Sequence, residues 1–516
     1  MDVEIFFKHH GVVQNPFGAE EARHDPVFEK LSINAHATHP EFAKVLGNID
    51  RPHTSVVFGE KGAGKTAFRL LMARAIRKHN DTNPDRRTLL VAYDDFNPVL
   101  DLVARNRHGL ARPSPNSLMR GFRREEHQDA ILGLAVTKVM DALLGTATDE
   151  ESMQLPADPR ERMRRIPRQV RLDAAVLAAL YDQPRSGSFG ERWRAVRSHL
   201  GLGWSLPFSV LKAAALVLSL LAVGLFAASP AARWFGALDR LPEWVLPVAG
   251  VAAAVAILLW LTWLWRRVRL WSLCRRIKRE TPAVDRTTAQ LGAMIGDIKA
   301  RDRAHQPWPL AGGDSTNARY ELTQKFLGFL RALGHAGMIV MIDRVDEPTL
   351  VAGQPERMRA LIWPLFDSKF LQQQGVGIKM LLPLDLRYLV HKEQAEFFQE
   401  ARLDKQHLVD RLSWSGATLY DLCTARLRVC HQERETSIAL TDLFEEDVSR
   451  ETLVQALDQM HQPRDAFKLL YAVIGEHCQR VPADEASYRI PRLTLESTRR
   501  DQAQRVQDLH RGLSPA

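Results

Sequence analysis

The stretch of the chain richest in chemistry is Gly59-Glu60-Lys61-Gly62-Ala63-Gly64-Lys65-Thr66, which satisfies the pattern GxxxxGK[ST] in full. Glycines at these positions let successive backbone N–H groups turn inward around phosphate oxygens. A helix starting directly after them adds the partial positive charge of its N-terminus. Lys65 then brings a cation to β- and γ-phosphates, and the Thr66 hydroxyl is of the kind that binds Mg²⁺. The expected ligand is a nucleoside triphosphate with Mg²⁺, ATP before GTP, and the expected chemistry is its hydrolysis. Such a loop needs a second carboxylate from the tip of an adjacent strand. Asp343, directly after the apolar run Met338–Ile342, supplies one and would hold Mg²⁺ through water. Arg344-Val345-Asp346-Glu347 follow, and Asp346 or Glu347 could orient the attacking water as general base, Glu347 being the first choice. Arg464, in the helix-opening sequence Pro463-Arg464-Asp465, could reach the phosphates as a sensor arginine. In Arg402-Leu403-Asp404 and at Arg411 an arginine could stabilise γ-phosphate charge, in cis or across a subunit interface, and Asp94 and Asp95 end a strand on the side where open α/β sheets bind ligands.

These residues need a scaffold, and the hydropathy pattern describes one. Ser55–Phe58 reads as a short buried strand and Thr66–Lys78 as the helix behind the phosphate loop. Thr88–Tyr93 reads as a second strand and His127–Leu144 as a helix. After a long interruption the alternation resumes with a helix from Asn317 to Leu333, the strand Met338–Ile342, a helix over Gln354–Leu371 and a strand at Gly377–Leu382. Alternating strands and helices predict an α/β fold with a parallel sheet covered by helices on both faces. Residues beyond Trp414 read as a helical lid (Ala417–Cys430, Glu451–Met460, Arg464–Cys478), then a strand-like tail over Arg489–Leu495 and a polar helix. In the lead-in, Asn15-Pro16-Phe17-Gly18 is a turn signal and His39–Gly47 is helical. The predicted organisation is 1–145, lead-in and first part of the nucleotide domain; 146–316, an insertion; 317–413, the second part; and 414–516, lid and tail.

The insertion has its own logic. Leu206–Ala228 carries one charge, Lys212, and Trp244–Trp265 carries none. Each approaches the roughly 20 residues a helix needs to cross a bilayer's hydrocarbon core. Spanning helices are therefore expected at 206–228 and 244–265, joined by the link Ser229–Glu243. Arg192, Arg194 and Arg197 precede the first run, and Arg266, Arg267, Arg269, Arg275 and Arg276 follow the second, which places both outer flanks in the cytoplasm. Trp234 and Trp244 on one side, with Trp260, Trp263, Trp265 and Trp271 towards the other, resemble interfacial belts. Lys65 and Asp343 lie on opposite sides of the insertion and must share one site, so the number of crossings has to be even. The arginines of Arg160–Arg171 suit anionic lipid.

Composition sets outer bounds. With 516 residues, 45% hydrophobic and 25% charged, the chain is globular and of several domains. Its net charge is +9, but the Arg160–Arg171 cluster lacks interleaved aromatics and no zinc-finger or RNA-recognition pattern appears, so nucleic acid is not an expected partner. Cys274, Cys423, Cys430 and Cys478 are scattered, with no CxxC spacing, and read as buried small residues in a reducing compartment. The first residues show no signal-peptide pattern.

A membrane hairpin inserted between two nucleotide motifs resembles the KAP family of P-loop ATPases, within the larger STAND and AAA-like group. The pattern Asp343-x-hydrophobic-Asp346 resembles that family's second motif. Its members commonly carry arginine after the second Asp, where Glu347 stands here. Asn15-Pro16-Phe17 and Pro463-Arg464-Asp465 also resemble bacterial AAA-type ATPases of the secretion and origin-recognition kind. The resemblance covers about residues 40–145 and 317–480. It implies an ATPase switch or assembly motor on the bacterial inner membrane, its soluble parts cytoplasmic. It would work as a homo-oligomer or with a partner protein from a neighbouring gene. Bacterial KAP-like proteins are implicated in defence against phages. The alternative is a membrane scaffold, or a subunit energising transport or secretion, that binds nucleotide and hydrolyses it little.

Overall fold

The computed structural model describes the chain apart from residues 20, 32–37, 110–113, 148–152, 157–158, 185–187, 203–207, 235–244, 312–314, 433–437, 483–486 and 511–516. It is α/β, mostly helical, and forms two compact units: residues 1–96 with 336–516, and residues 97–335.

The first unit is built on a parallel sheet of five strands: β1 (Ser55–Gly59), β2 (Arg87–Tyr93), β3 (His335–Ile342), β4 (Val376–Pro383) and β5 (His407–Val409), in the order β2-β3-β4-β1-β5. Every residue of β1 and β4 is buried, as expected for central parallel strands covered on both faces. The register aligns Gly59 of β1 with Pro383 of β4, and Ile342 of β3 with Met380. Parallel strands end at one common edge, so the phosphate loop after β1 and Asp343 after β3 emerge on the same side of the sheet. Asp343 does not come from a strand adjacent to β1, as expected; β4 lies between the two. The helix Lys65–Thr82 buries Phe68, Leu71, Met72 and Ile76 in a core with Val57, Ile339 and Leu381.

Three local expectations differ. The helix over Gln354–Leu371 is broken into Pro355–Ile362, a 3₁₀ turn at Trp363–Leu365 and a final turn at Ser368–Leu371, because Pro364 cannot continue an α-helix. The segment Arg489–Leu495 forms only one bridge, Ile490 to Phe444, and the terminal helix already starts at Arg492. Three-residue β5 carries too little pattern to be seen in sequence.

The lid comprises the helices Gly416–Val429, Arg450–Asp458 and Pro463–Arg480. The lead-in belongs to it. Phe6, Phe7, Val12 and Phe17 share a core with Leu419, Leu427, Leu470 and Val473. Phe17 N–H donates to Asn15 Oδ1 (2.9 Å), an Asx turn that sets Phe17 inward. Buried Arg426 holds the lead-in with a 2.6 Å ion pair to Asp25 and a bond to Pro16 O (2.7 Å). All four cysteines are buried and free.

The second unit packs the helices Arg124–Leu144, Arg168–Tyr181 and Ser315–Ala332 around a buried polar network. Arg319 donates to both oxygens of Asp129 (2.9 and 2.8 Å), and Tyr181 donates to Oδ1 (2.9 Å). In the arginine-rich segment, Arg165 and Arg168 pair with Glu161 and Asp302, and Arg162 and Arg171 donate to backbone carbonyls. The side chain of Arg160 lies outside the described residues.

The two apolar runs form helices at Phe208–Trp234 and Val245–Glu280 that pack on each other. Trp260 Nε1 donates to Ser219 Oγ (3.2 Å). Among the described residues only Pro247–Glu280 is long and apolar enough by itself to cross a membrane, with Lys212–Ala227 forming a shorter apolar helix. Only 17% of the apolar part of Pro247–Glu280 is buried. Trp244 and most of the link, residues 235–244, lie outside the described residues. The second helix runs well past its expected end at Trp265, because Leu270, Cys274 and Ile277 continue an inward stripe at helical spacing.

Candidate functional site

β1 delivers the chain to Gly59, and the helix begins at Lys65. Two residues between them need glycine. Gly62 has φ +102° and Gly64 φ +91°, where a side chain would be strained. A Cβ on Gly62 would also lie 2.6 Å from Gln462 Oε1. Gly64 caps the helix without any side-chain hydrogen bond, so the first N–H groups of the helix remain available to an anion.

Lys65 Nζ donates to the carbonyls of Gly59 (2.8 Å) and Glu60 (2.9 Å), folding the side chain back along the loop. Burial lowers its pKa, with Asp343 the main opposing influence. Thr66 Oγ1 lies 3.4 Å from Asp343 Oδ2, so the loop's hydroxyl and the carboxylate of β3 meet. Asp343 is 1% exposed, and burial raises its pKa against the pull of Arg69.

Arg69 was not singled out in the sequence, although it lies three residues after Thr66 on the same helical face. Its guanidinium sits 3.7 Å from Asp343 and 3.2 Å from Asp94, and Asp94 also binds Arg23 at 2.6 Å. Asp94 thus holds two arginines at the site's margin.

Arg344 takes φ +60°, turning the chain sharply after Asp343, and Val345 is buried. Asp346 and Glu347 line the same cavity. Glu347 is 56% exposed and pairs with Arg344 at 3.1 Å. Partial burial raises its pKa with Arg344 opposing, a shift that water screens at this exposure.

The C-terminal helical region touches the loop through Trp414 and Gln462, which the sequence did not single out. Trp414 Nε1 donates to Ala63 O (3.0 Å), and Gln462 donates to Glu60. Glu60 also accepts from Arg411 (2.6 Å), which ties that arginine to the loop. Arg464 projects beside Gly62, and its buried Nε has no hydrogen-bond partner among the described residues. Arg402 takes φ +47° and caps the helix Ala395–Ala401. It is not among the cavity's lining residues.

Together these groups surround a cavity of about 300 Å³. Its polar wall carries Lys65, Thr66, Asp343, Asp346, Glu347 and Arg464. Its apolar wall carries Phe28 and Leu31 from the lead-in, Phe68 from the helix and Phe467 from the lid. That wall left no motif in the sequence, because its members come from three separate segments, with Phe467 about 400 residues after Phe68. Among the described residues no group of three His, Cys, Asp or Glu could hold a metal ion. Thr66 and Asp343 alone suit Mg²⁺, which takes few protein ligands and keeps water and phosphate oxygens.

The chain matches no known protein family, no curated protein and no solved structure.

Proposed function

We propose that this protein is a membrane-anchored P-loop nucleoside triphosphatase, using ATP and Mg²⁺ and acting as a nucleotide-dependent switch. The observation that carries the reading is the meeting of Thr66 Oγ1 and buried Asp343 Oδ2 at 3.4 Å beside Lys65 and the glycine turn. Strand order, loop conformation and cavity support it together. The loop's N–H groups and Lys65 bind the phosphates, and the apolar wall takes the base. Mg²⁺, when bound by Thr66 and Asp343, neutralises phosphate charge. Asp346 or Glu347 holds the water that attacks. Arg464, partly buried and with a buried Nε that has no partner among the described residues, meets charge on the terminal phosphate. Gln462, Arg464 and Trp414 give the lid direct contact with the loop, so nucleotide occupancy biases the lid's position.

The hairpin is part of the proposal. The sheet interleaves strands from before the insertion (β1, β2) with strands from after it (β3, β4, β5). A chain that crosses the bilayer through Val245–Glu280 has to cross again to complete this sheet, and Phe208–Trp234 packs beside it. Ser219 and Trp260, which touch, stand equally far from the ends of the two helices that the link joins, as an antiparallel pair requires. Outward-facing Val217, Leu220 and Val223 on one helix, with Val251, Ile257 and Leu258 on the other, suit hydrocarbon. The soluble units then lie in the cytoplasm of a bacterial cell, where the resemblance to KAP-type proteins suggests a role in phage defence, in a homo-oligomer or with a protein partner.

A second reading, a scaffold that binds nucleotide with little turnover, is favoured by the exposure of Glu347 and its pairing with Arg344. Steady-state ATP turnover by the purified full chain separates the two. The switch reading expects Mg²⁺-dependent turnover that Lys65→Ala abolishes. Binding without turnover favours the scaffold.

A further inference from the structure

The arginines of the second unit fall into two groups. One is paired within the unit: Arg105, Arg168, Arg192, Arg197 and Arg319 each face a carboxylate at 3.0 Å or less. Those that continue the long apolar helix are different. Arg266, Arg267, Arg269, Arg275, Arg276 and Arg279 are all exposed, and none has a carboxylate partner among the described residues. Three of them instead lie on indole rings of their own helix. Arg267 sits 5.3 Å from the centre of Trp263, Arg269 4.7 Å from Trp265 and Arg275 5.2 Å from Trp271. The four-residue spacing makes Trp263, Arg267, Trp271 and Arg275 one alternating stripe.

We propose that this stripe is a binding collar for anionic phospholipid headgroups at the cytoplasmic face, an inference that rests on the hairpin reading above. Val245–Trp265 is about 31 Å long at 1.5 Å per residue, close to the thickness of the hydrocarbon core. The arginines therefore begin where headgroups begin. Indole rings favour that same level. A guanidinium over a ring makes no N–H bond to it and can still grip a phosphate diester with two bonds. Six uncompensated positive charges within 14 residues select anionic lipid over zwitterionic lipid. The segment Arg160–Arg171, by contrast, uses Arg162, Arg165, Arg168 and Arg171 internally. The collar on the long helix is thus the main lipid-facing charge of this unit.

The test uses the full chain in a neutral detergent, titrated with dioleoylphosphatidylglycerol, dioleoylphosphatidylcholine or inorganic phosphate. Thermal melts and native mass spectrometry read the binding. Phosphatidylglycerol should bind and raise the melting temperature, while phosphatidylcholine and phosphate should do neither. Arg267→Gln, Arg269→Gln and Arg275→Gln together should weaken phosphatidylglycerol binding about 100-fold, from roughly a factor of five per charge near an anionic surface. The corresponding triple Lys variant keeps the charge and guards against a folding defect. It should weaken binding about tenfold through loss of the guanidinium–indole geometry. Equal response to both lipids, or an unchanged affinity in either triple variant, overturns the proposal. A response to phosphate alone assigns the collar to a free anion and also overturns it. A chain that stays soluble without detergent overturns the hairpin reading instead, before any lipid is added.

Discussion

Lys379 lies in the middle of the sheet, on β4 beside Ser55 of β1, and its side chain is fully buried. Its Nζ donates to Val45 O (2.7 Å) and Ser55 Oγ (3.2 Å) and faces His53 Nε2 at 3.5 Å. Burial, with no carboxylate beside it, lowers its pKa from 10.5 to about 7. The folded protein therefore releases a proton that the unfolded chain keeps between pH 7 and 10.5, so the site's contribution to stability grows as pH rises through that window. Below pH 7 the charged amine costs about 5 kcal/mol relative to a neutral one, at 1.36 kcal/mol per pKa unit. Replacing Lys379 with Met removes this cost but takes the donor from Ser55 Oγ and leaves Val45 O with Ser55 Oγ as its remaining donor (2.9 Å), a loss of roughly 1–3 kcal/mol. At pH 7 the Met variant should be the more stable by a net of about 2–4 kcal/mol, raising the melting temperature by roughly 5 °C or more. Near pH 10 the wild type has escaped most of the cost, and the order should reverse. The assay is a series of thermal melts, followed by tryptophan fluorescence, of both proteins from pH 6.5 to 10. Taking the difference at each pH cancels every other titrating group. Parallel curves would show that Lys379 keeps an ordinary pKa in the fold and refute the reasoning.

His53, whose pKa burial lowers to about 4 with Lys379 adding to the effect, should act in the same direction in a lower window: its contribution to stability is present above pH 6.5 and lost as pH falls towards 4. His53→Gln should flatten melting temperature over that range. For hydrolysis, Glu347→Gln should retain nucleotide binding and slow turnover by about 100-fold, a usual consequence of losing a general base. If Asp346→Asn has that effect and Glu347→Gln does not, Asp346 is the base. For topology, a cysteine placed at Gly236 should react with a membrane-impermeant maleimide in intact cells, and one at Ser315 should react only after lysis. The four native cysteines are buried and leave a low background. Labelling in the reverse order would refute the proposed orientation.

The part of the site that could be read in the sequence was the part carried by adjacent residues. Gly59–Thr66 is eight consecutive residues, and the structure has the apolar strand Ser55–Gly59 entering them and the helix Lys65–Thr82 leaving them. Asp343 was legible because an apolar run ends on it, although the sheet sets β4 between its strand and β1. What stayed hidden depends on partners far apart in the chain. Arg69 looks like any helical arginine until Asp343 and Asp94 are seen beside it. Arg426 looks like a surface residue of the lid, yet it is buried against Asp25 and Pro16. The lead-in's apolar residues have no clear period, because they fill gaps in the lid rather than form one face of a long helix. The arginines of Arg160–Arg171 read as a lipid-binding run because the partners of Arg162, Arg168 and Arg171 lie far away in the chain.

The central claim, that the cavity above Gly59–Thr66 takes a nucleoside triphosphate, is tested most directly by calorimetric titration of ATP into the full chain with Mg²⁺. The account predicts saturable binding at one site per chain for the wild type. It predicts no detectable binding for Lys65→Ala, since that variant removes the cation that meets the β- and γ-phosphates. Equal affinity in the two proteins, or no binding of ATP or GTP by the wild type, would contradict it.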